Sequence, residues 1–426
     1  MAAGEHPAPE GGARCPHRVR LRGVRVAGMD IEALKQAVCD QVDRLAPQLV
    51  EASHQIHANP ELNFEEHFAH DTLTNLLERN GVAPVRSAWG LATAFDAAAG
   101  TEGPVVAVLC EYDALPGVGH ACGHNIIGTA GVGAGLAAAA VAEQAGGRLR
   151  ILGTPAEEGG GGKVLMARAG AFEGVHAAMM VHPADADLIA ITSLAIQQIE
   201  VTFRGKAAHA AAAPWEGRNA LDAAVQAYTS IAAMRQHIRP DERIHGIFTN
   251  GGTKPNIVPD VAAMVWYVRS GSLASLELLK QRVFACLEAA AAATGCTMEH
   301  RWDDYPYAEV VDNQAMVEAY VANAARLGRT VRDPQASGKH VAGSTDMGNI
   351  SYLVPSIHPM IQVAPDGVPI HSVDFARCAA TEAGDRAVLD GAKAMAMTVV
   401  DLWCSADLRA RADAEFAQRP AGVKAI

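Results

Sequence analysis

Cys122 and His124 stand two residues apart in a glycine-rich stretch, His120-Ala121-Cys122-Gly123-His124-Asn125, downstream of the apolar run 105–109. A thiolate and an imidazole at that spacing can ligate a metal ion. The run 105–109 reads as a buried strand and the pattern from 126 onward as a helix. The pair therefore lies in a loop at a strand's carboxyl end, where α/β sheets carry their ligands. Two adjacent carboxylates, Glu157 and Glu158, follow the strand-like run 148–152, again in a glycine-rich loop. Neighbouring side chains in extended or turn backbone project in different directions, so one carboxylate can bind metal while the other acts on a water. His182 closes the run 177–181, and His371 precedes the last long helical pattern.

Taken singly, each residue has an ordinary explanation. Acidic pairs in loops are commonly solvated, and a histidine at a strand end commonly serves as a hydrogen-bonded structural group. As a set they say more. Cys122, His124, Glu158, His182 and His371 all fall at carboxyl ends of strands or in the loops that follow, and a doubly wound sheet brings such positions to one rim. Together they exceed one tetrahedral zinc site and suit two divalent metal ions sharing a bridging group and a bridging water. Thiolate and imidazole donors favour Zn2+, and the oxygen and nitrogen donors also admit Mn2+. The rival reading is a thiol nucleophile at Cys122 with His124 as its base, aided by the helix amino terminus that follows. It leaves Glu157, Glu158 and His182 without a role, and residues at i and i+2 rarely form the required hydrogen bond.

The elements that must position these residues can be traced along the chain. Asp30 caps a predicted helix with Ile31, Leu34, Val38, Val42 and Leu45 on one face, and a second amphipathic stretch, 64–80, stops at Gly81. Strand-like runs at 91–95, 105–109, 148–152 and 177–181 are separated by helical or glycine-rich segments, the pattern of an α/β domain with a mostly parallel, doubly wound sheet. Near 191 the pattern changes. Strands at 196–203, 246–249, 262–269 and 298–302, with helices at 219–237 and 274–293, predict a ferredoxin-like α+β insertion. The segments 317–327, 357–363 and the helical 376–402 complete the first domain. The expected organisation is a catalytic domain in two parts, 29–190 and 306–426, around a lid or dimerisation domain at 191–305. Residues 1–28, rich in Gly, Pro and Arg, are expected to be a disordered extension.

The bulk properties exclude several classes. A net charge of −12 without a basic stripe argues against a nucleic-acid partner. No run approaches the ~18 consecutive apolar residues of a membrane span. The eight cysteines are scattered, with no C-x-x-C pair, so no disulfide framework is expected and a reducing, cytoplasmic setting fits.

Several further motifs occur in a fixed order: Asp113-Ala114-Leu115-Pro116 ahead of the Cys122 stretch, Pro155-Ala156-Glu157-Glu158-Gly159, Gly205-Lys206-Ala207-Ala208-His209, Pro255-Asn256-Ile257-Val258-Pro259 and the late His371. With them, the chain from residue 30 onward resembles the aminoacylase and carboxypeptidase G type di-metal amidohydrolases, in their cysteine-ligand branch. Asn125, where that branch usually has aspartate, together with Cys110-Glu111-Tyr112-Asp113 and Gly343-Ser344-Thr345-Asp346, points to the subgroup that holds aminobenzoyl-glutamate hydrolase and the aminoacylase-1-like dipeptidases. The resemblance implies that Cys122 bridges two metals, with Glu158 and His371 on one side and His124 and His182 on the other. It makes Asp113 the carboxylate that orients an imidazole ligand, and Glu157 the general base that moves a proton from the attacking water to the leaving amine.

By the same resemblance, His209 donates to the oxyanion, reaching the partner subunit's site across a dimer. Asn256 and Arg269 are candidates for a substrate carboxylate, Arg269 through a bidentate pair. Asp346 is expected to cap a helix. The implied activity is hydrolysis of an amide in N-acyl amino acids or dipeptide-like substrates with a free carboxylate, by a homodimer or by a hetero-oligomer with a homologous subunit. The alternatives are a non-catalytic metal-binding subunit and a hydrolase of aryl- or indole-acyl conjugates.

Overall fold

Every side chain from Val105 to Cys110 is buried, and these residues form an inner strand of a six-stranded sheet. Uncharged aliphatic residues suit a strand covered on both faces. The computed structural model describes residues 30–334 and 342–419, so the expected extension 1–28 lies outside the described residues. In chain order the strands of the first part are β1 (Pro84–Arg86), β2 (Phe95–Ala99), β3 (Val105–Cys110), β4 (Arg148–Gly153), β5 (Ala177–Met179) and β6 (His182–Ala184). Then come β7 (Thr192–Ser193), β8 (Ala195–Arg204), β9 (Arg243–Asn250), β10 (Val261–Ser270) and β11 (Thr297–Trp302). The last strands among the described residues are β12 (Ala342–Gly343), β13 (Ser356–Ile357) and β14 (Met360–Gln362).

The main sheet has the order β1-β2-β4-β3-β5-β13. Pairs β3–β4, β3–β5 and β5–β13 are parallel, and the β1–β2–β4 edge is antiparallel, which gives the mostly parallel α/β sheet expected from the sequence. Alternation along β3 sends Val106, Val108 and Cys110 under the helices Ile31–Ala58, His124–Ala139 and Glu382–Cys404. Val105, Ala107 and Leu109 face the other way, toward Met166, Phe172, Met347 and Ile350. Both faces are therefore closed to water, and only the strand ends are open to carry polar groups.

Three expected runs are displaced, shortened or divided. The run 91–95 becomes a strand only from Phe95, because Ser87, Trp89 and Gly90 adopt positive φ and the Ala94 N–H closes a turn onto Leu91 O. The run 177–181 stays a strand only to Met179, with β6 starting afresh at His182, and the run 357–363 splits in two. β5 pairs with β13 in the main sheet, whereas β6 pairs with β14 in a separate ribbon. His358-Pro359 lies at the break, and a proline has no N–H to donate to the ladder. His182 thus opens a short strand of its own instead of closing a long one.

The inserted unit follows the expected order of strand, helix, two strands, helix, strand. Its antiparallel sheet runs β11-β8-β10-β9. Helices Ala220–Met234 and Leu273–Thr294 cover one face, and Phe203, Trp266, Leu279 and Val283 belong to a hydrophobic core separate from that of the main sheet.

The helix His124–Ala139 lies against β3 so closely that glycine is required. A Cβ on Gly131 would sit 2.7 Å from the Leu109 carbonyl oxygen and 2.7 Å from Cys110 Sγ. Gly131→Ala therefore sets a helix-propensity gain of ~1 kcal/mol against overpacking worth about 1–3 kcal/mol, and the expected outcome is a net loss of about 1 kcal/mol or more in urea unfolding. A net gain would show that the contact yields easily.

Candidate metal centre

Thr154 donates from its N–H and its hydroxyl to Cys110 O, at 2.8 and 3.1 Å, and so ties the loop after β4 to the end of β3. Two buried loops then meet at one rim. Gly123 takes φ +76, and a Cβ there would lie 2.8 Å from the Pro183 ring, so glycine alone lets the Cys122 loop pack against β6 before the helix starts at His124. This brings Cys122 Sγ to 3.4 Å from His182 Nε2 and 3.5 Å from His371 Nε2. His371 itself has φ +66, and its N–H donates to Ala121 O at 2.8 Å, which holds the strained residue over the loop. Glu158 Oε1 lies 3.6 Å from His371 Nε2 and 3.9 Å from His124 Nε2.

The donor atoms form two groups that share one sulfur. Those of Cys122, His124 and His182 lie within 4.8 Å of one another, as do those of Cys122, Glu158 and His371. His124 Nε2 and Glu158 Oε1 are buried without a hydrogen-bond partner, a costly state for polar atoms unless something else satisfies them. Soft and borderline donors converging in this way fit two divalent ions with a thiolate between them.

Hydrogen bonds set the tautomers. Asp113 Oδ1 takes His124 Nδ1 at 3.0 Å, and His182 Nδ1 donates to Pro183 O at 2.8 Å, so in both rings Nε2 is the atom free to ligate. The other oxygen of Asp113 accepts the Glu158 N–H at 2.9 Å, so one carboxylate orients two candidate ligands. Burial alone would raise the Asp113 carboxyl, but the adjoining His124 ring and the Glu158 N–H hold it below its ordinary value. Burial, reinforced by the His124 charge, pushes His182 down to about 4, leaving a neutral ring suited to a metal. Burial and Glu158 push the Cys122 thiol up, which argues against a free thiolate nucleophile.

Glu157 stands between this cluster and a second one. Its carboxyl oxygens group with donor atoms of His124 and Glu158 on one side and with Glu111 and Asp346 on the other. Burial, then Glu111 and Glu158, raise its carboxyl well above the usual range, the direction that makes a stronger base. Tyr305 and Tyr307, just beyond β11, hold the loop by donating to Gly160 O and Glu157 O at 2.8 and 3.1 Å.

Glu66, which sequence reasoning passed over, accepts the Ala156 N–H at 2.8 Å and the Thr93 hydroxyl at 2.8 Å. Ala156 has φ +60, so Glu66 pins the strained residue that aims Glu157. The expected cap role of Asp346 is corrected. It occupies the N-cap position of helix Met347–Ser351 without a capping bond, and its carboxylate instead accepts the Lys163 N–H and ammonium. A lysine after four glycines is visible in the sequence, but no spacing links position 163 to 111 or 346. His358 was likewise unmarked and lies buried with its ring 5.3 Å from that of His182.

The remaining candidates lie apart. His209 and Asn256 are exposed on the inserted unit and adjoin each other, with the Ala210 N–H donating to Asn256 O at 3.0 Å. His209 Nδ1 accepts the Ala211 and Ala212 N–H groups at 3.2 and 3.1 Å, which leaves the proton on Nε2. Arg269, near the end of β10, reaches Ser344 Oγ at 3.4 Å, and its Nε is buried without a partner. The structure thus joins Asp113, Cys122, His124, Glu157, Glu158, His182 and His371, and leaves His209, Asn256 and Arg269 outside that cluster.

The model of peptidase family M20/M25/M40 matches residues 107–399. The chain belongs to this family. Among M20 relatives, an Xaa-Arg dipeptidase of Mus musculus is 41% identical over 387 residues, covering 88% of this chain and 90% of that protein. A p-aminobenzoyl-glutamate hydrolase subunit of Escherichia coli (strain K12) is 29% identical over 460 residues, covering 91% and 96%. A dinuclear metal-binding peptidase of Bacillus subtilis, also of the M20 family, superposes with a TM-score of 0.66 at 21% identity, covering 84% of this chain and 98% of that one. M20 membership makes the chain a metal-dependent hydrolase of peptide or amide bonds.

Glu66 provides a test of how the Glu157 loop is held. Burial, then the Asp113 charge, push its carboxyl from 4.5 up to about 7. A folded-state pKa above the unfolded value means that stability present below pH ~4.5 is lost as pH rises through ~7. Glu66→Gln, which cannot ionise, is expected to gain on the parent over that window, by up to ~3 kcal/mol in urea unfolding. A pH-independent difference would show that Glu66 does not titrate there.

Proposed function

We propose that this M20 enzyme cleaves the amide between an acyl or aminoacyl group and an amino acid with a free carboxylate, with Glu157 as general base. The observation that carries the reading is the pair of donor groups sharing Cys122 Sγ, with the Glu157 carboxyl grouped beside His124 and Glu158. Cys122, His124 and His182 would hold one ion, and Cys122, Glu158 and His371 the other. Zn2+ is favoured by the thiolate and imidazoles, with Mn2+ the alternative. Bound divalent ions supply Lewis acidity, lowering the pKa of a coordinated water from about 15.7 toward ~7.

The chain's own residues do the rest. Asp113 keeps His124 Nε2 pointed inward. Glu157 takes the proton of the attacking water and delivers it to the leaving nitrogen. His209, with its proton on Nε2, donates to the developing oxyanion once the inserted unit, delimited as 191–305, approaches the rim. Asn256 and Arg269 receive the substrate carboxylate. The name of the mouse relative, an Xaa-Arg dipeptidase, supports dipeptides as the first substrates to assay, and that of the Escherichia coli relative adds p-aminobenzoyl-glutamate. Glu157→Gln should lower kcat ~10³-fold while elemental analysis still finds two metals per chain. Turnover near that of the parent would remove Glu157 as the base, and a parent carrying two metals yet inert on the whole panel would favour a non-catalytic subunit.

A homodimer through the inserted unit completes the reading. β9 is an edge strand with Ile247 65% and Phe248 41% exposed, an apolar edge that another copy can cover. The cysteines among the described residues are unpaired, which supports a cytoplasmic setting. Sedimentation should give a dimer, converted to monomer by Ile247→Lys with Phe248→Glu. A parent that sediments as monomer would rule out a cross-subunit His209, and a stable complex with a homologous chain would favour the hetero-oligomer.

A further inference from the structure

Lys163 has no exposed side-chain surface, and its ammonium pairs with two carboxylates from distant parts of the chain, Glu111 and Asp346. Nζ lies 2.6 Å from Asp346 Oδ1, and the Lys163 backbone N–H donates to Asp346 Oδ2 at 2.9 Å. Oxygens of Glu111, Glu157 and Asp346 lie within 4.8 Å of one another, the donor arrangement of a cation site, and the lysine supplies the cation. Glu111 also comes within 3.5 Å of His124 Nε2, so the trio borders the metal centre directly.

The chain is shaped to deliver this ammonium. A Cβ on Gly162 would lie 1.9 Å from Pro155 O, and one on Gly161, at φ +59, would lie 2.5 Å from the Tyr305 ring. The glycine run after Glu158 therefore folds back on its own loop, so that Lys163, in the first turn of helix Gly162–Arg168, enters the interior. Buried lysines persist only where paired, and here removal of the ammonium would leave Glu111 and Asp346 uncompensated beside Glu157.

We propose that Lys163 is a positioning residue for amide hydrolysis: its ammonium ties Glu111 and Asp346 into a fixed wall that holds the Glu157 carboxylate toward the water and the leaving amine. Without it, repulsion among the three carboxylates turns Glu157 out of line. The inference rests on Glu157 being the general base.

The experiment compares Lys163→Met, Lys163→Met with Asp346→Asn, and Lys163→Ala, each in the metal-loaded full chain, on the best dipeptide substrate. Lys163→Met should keep two metals and lose ~100-fold in kcat, the scale of a small misplacement of a reacting group. KM should stay within ~3-fold, because the loss falls on the chemical step. Removing the stranded charge in the double variant should restore at least ~10-fold over Lys163→Met, a coupling expected only between residues of one network. Methylammonium should restore Lys163→Ala saturably and tetramethylammonium should not, which a purely structural role would not produce. Near-parental turnover of Lys163→Met, a folded double variant no better than the single, or failure of methylammonium to restore either fold or turnover would each overturn the inference. Glu157→Gln assayed in parallel separates the two readings. A fully active Glu157→Gln removes the base assignment, whereas an inactive one beside a fully active Lys163→Met removes only the role of Lys163.

Discussion

Carboxylates buried at the end of a sheet are stable only when positive or hydrogen-donating groups meet them, and that requirement organises this M20 chain. Glu66, Glu111, Asp113, Glu157 and Asp346 are all buried at or near one rim. Four of them have such partners: the Ala156 N–H and Thr93 hydroxyl for Glu66, the His124 ring and Glu158 N–H for Asp113, and one shared ammonium, that of Lys163, for Glu111 and Asp346. Glu158 Oε1 and His124 Nε2 are left without a hydrogen bond, where the donor set fits metal ions. The positive charge needed at this rim thus comes from one built-in ammonium and from the ions the donors can hold.

The backbone serves the same end. The apolar faces of β3 exclude water on both sides, so polar groups can concentrate only beyond its carboxyl end. Glycines at 123, 161 and 162 remove side chains where two loops or a loop and a ring would collide. Ala156 and His371 hold positive φ despite having a Cβ, and both are fastened by their backbone N–H groups, to Glu66 and to Ala121 O. Strain sits next to the residues assigned to chemistry and is held by polar contacts, a common arrangement at sites that must be rigid.

How legible this was differs by residue. Cys122, His124, Glu157 and Glu158 could be singled out because local spacing after a hydrophobic strand is a short-range signal. His182 and His371 required the assumption that strand ends share a rim. Lys163, Glu66 and His358 carried no such signal, since a lone lysine, glutamate or histidine is usually a solvated or structural residue. Asp346 has the sequence context of a cap, because a Ser-Thr-Asp sequence before a helix has the composition of one, and only the burial of Lys163 against it shows the competing partner. The early end of the 177–181 strand and the division of 357–363 were likewise hidden, because hydrophobicity continues through a break that a proline imposes on the ladder.

The sequence by itself determined the element types, the α/β sheet with its α+β insertion, and the chemical inventory of thiol, imidazoles and carboxylates, because periodicity and residue type are local properties. Tertiary structure decided which of those groups meet. It set the two donor groups around one sulfur, the ammonium among three carboxylates, and the separation of His209 and Asn256 from the cluster. Those outcomes depend on contacts between residues up to 249 positions apart, as between Cys122 and His371, and such distances are fixed by how helices and loops pack against the sheet, not by any spacing along the chain.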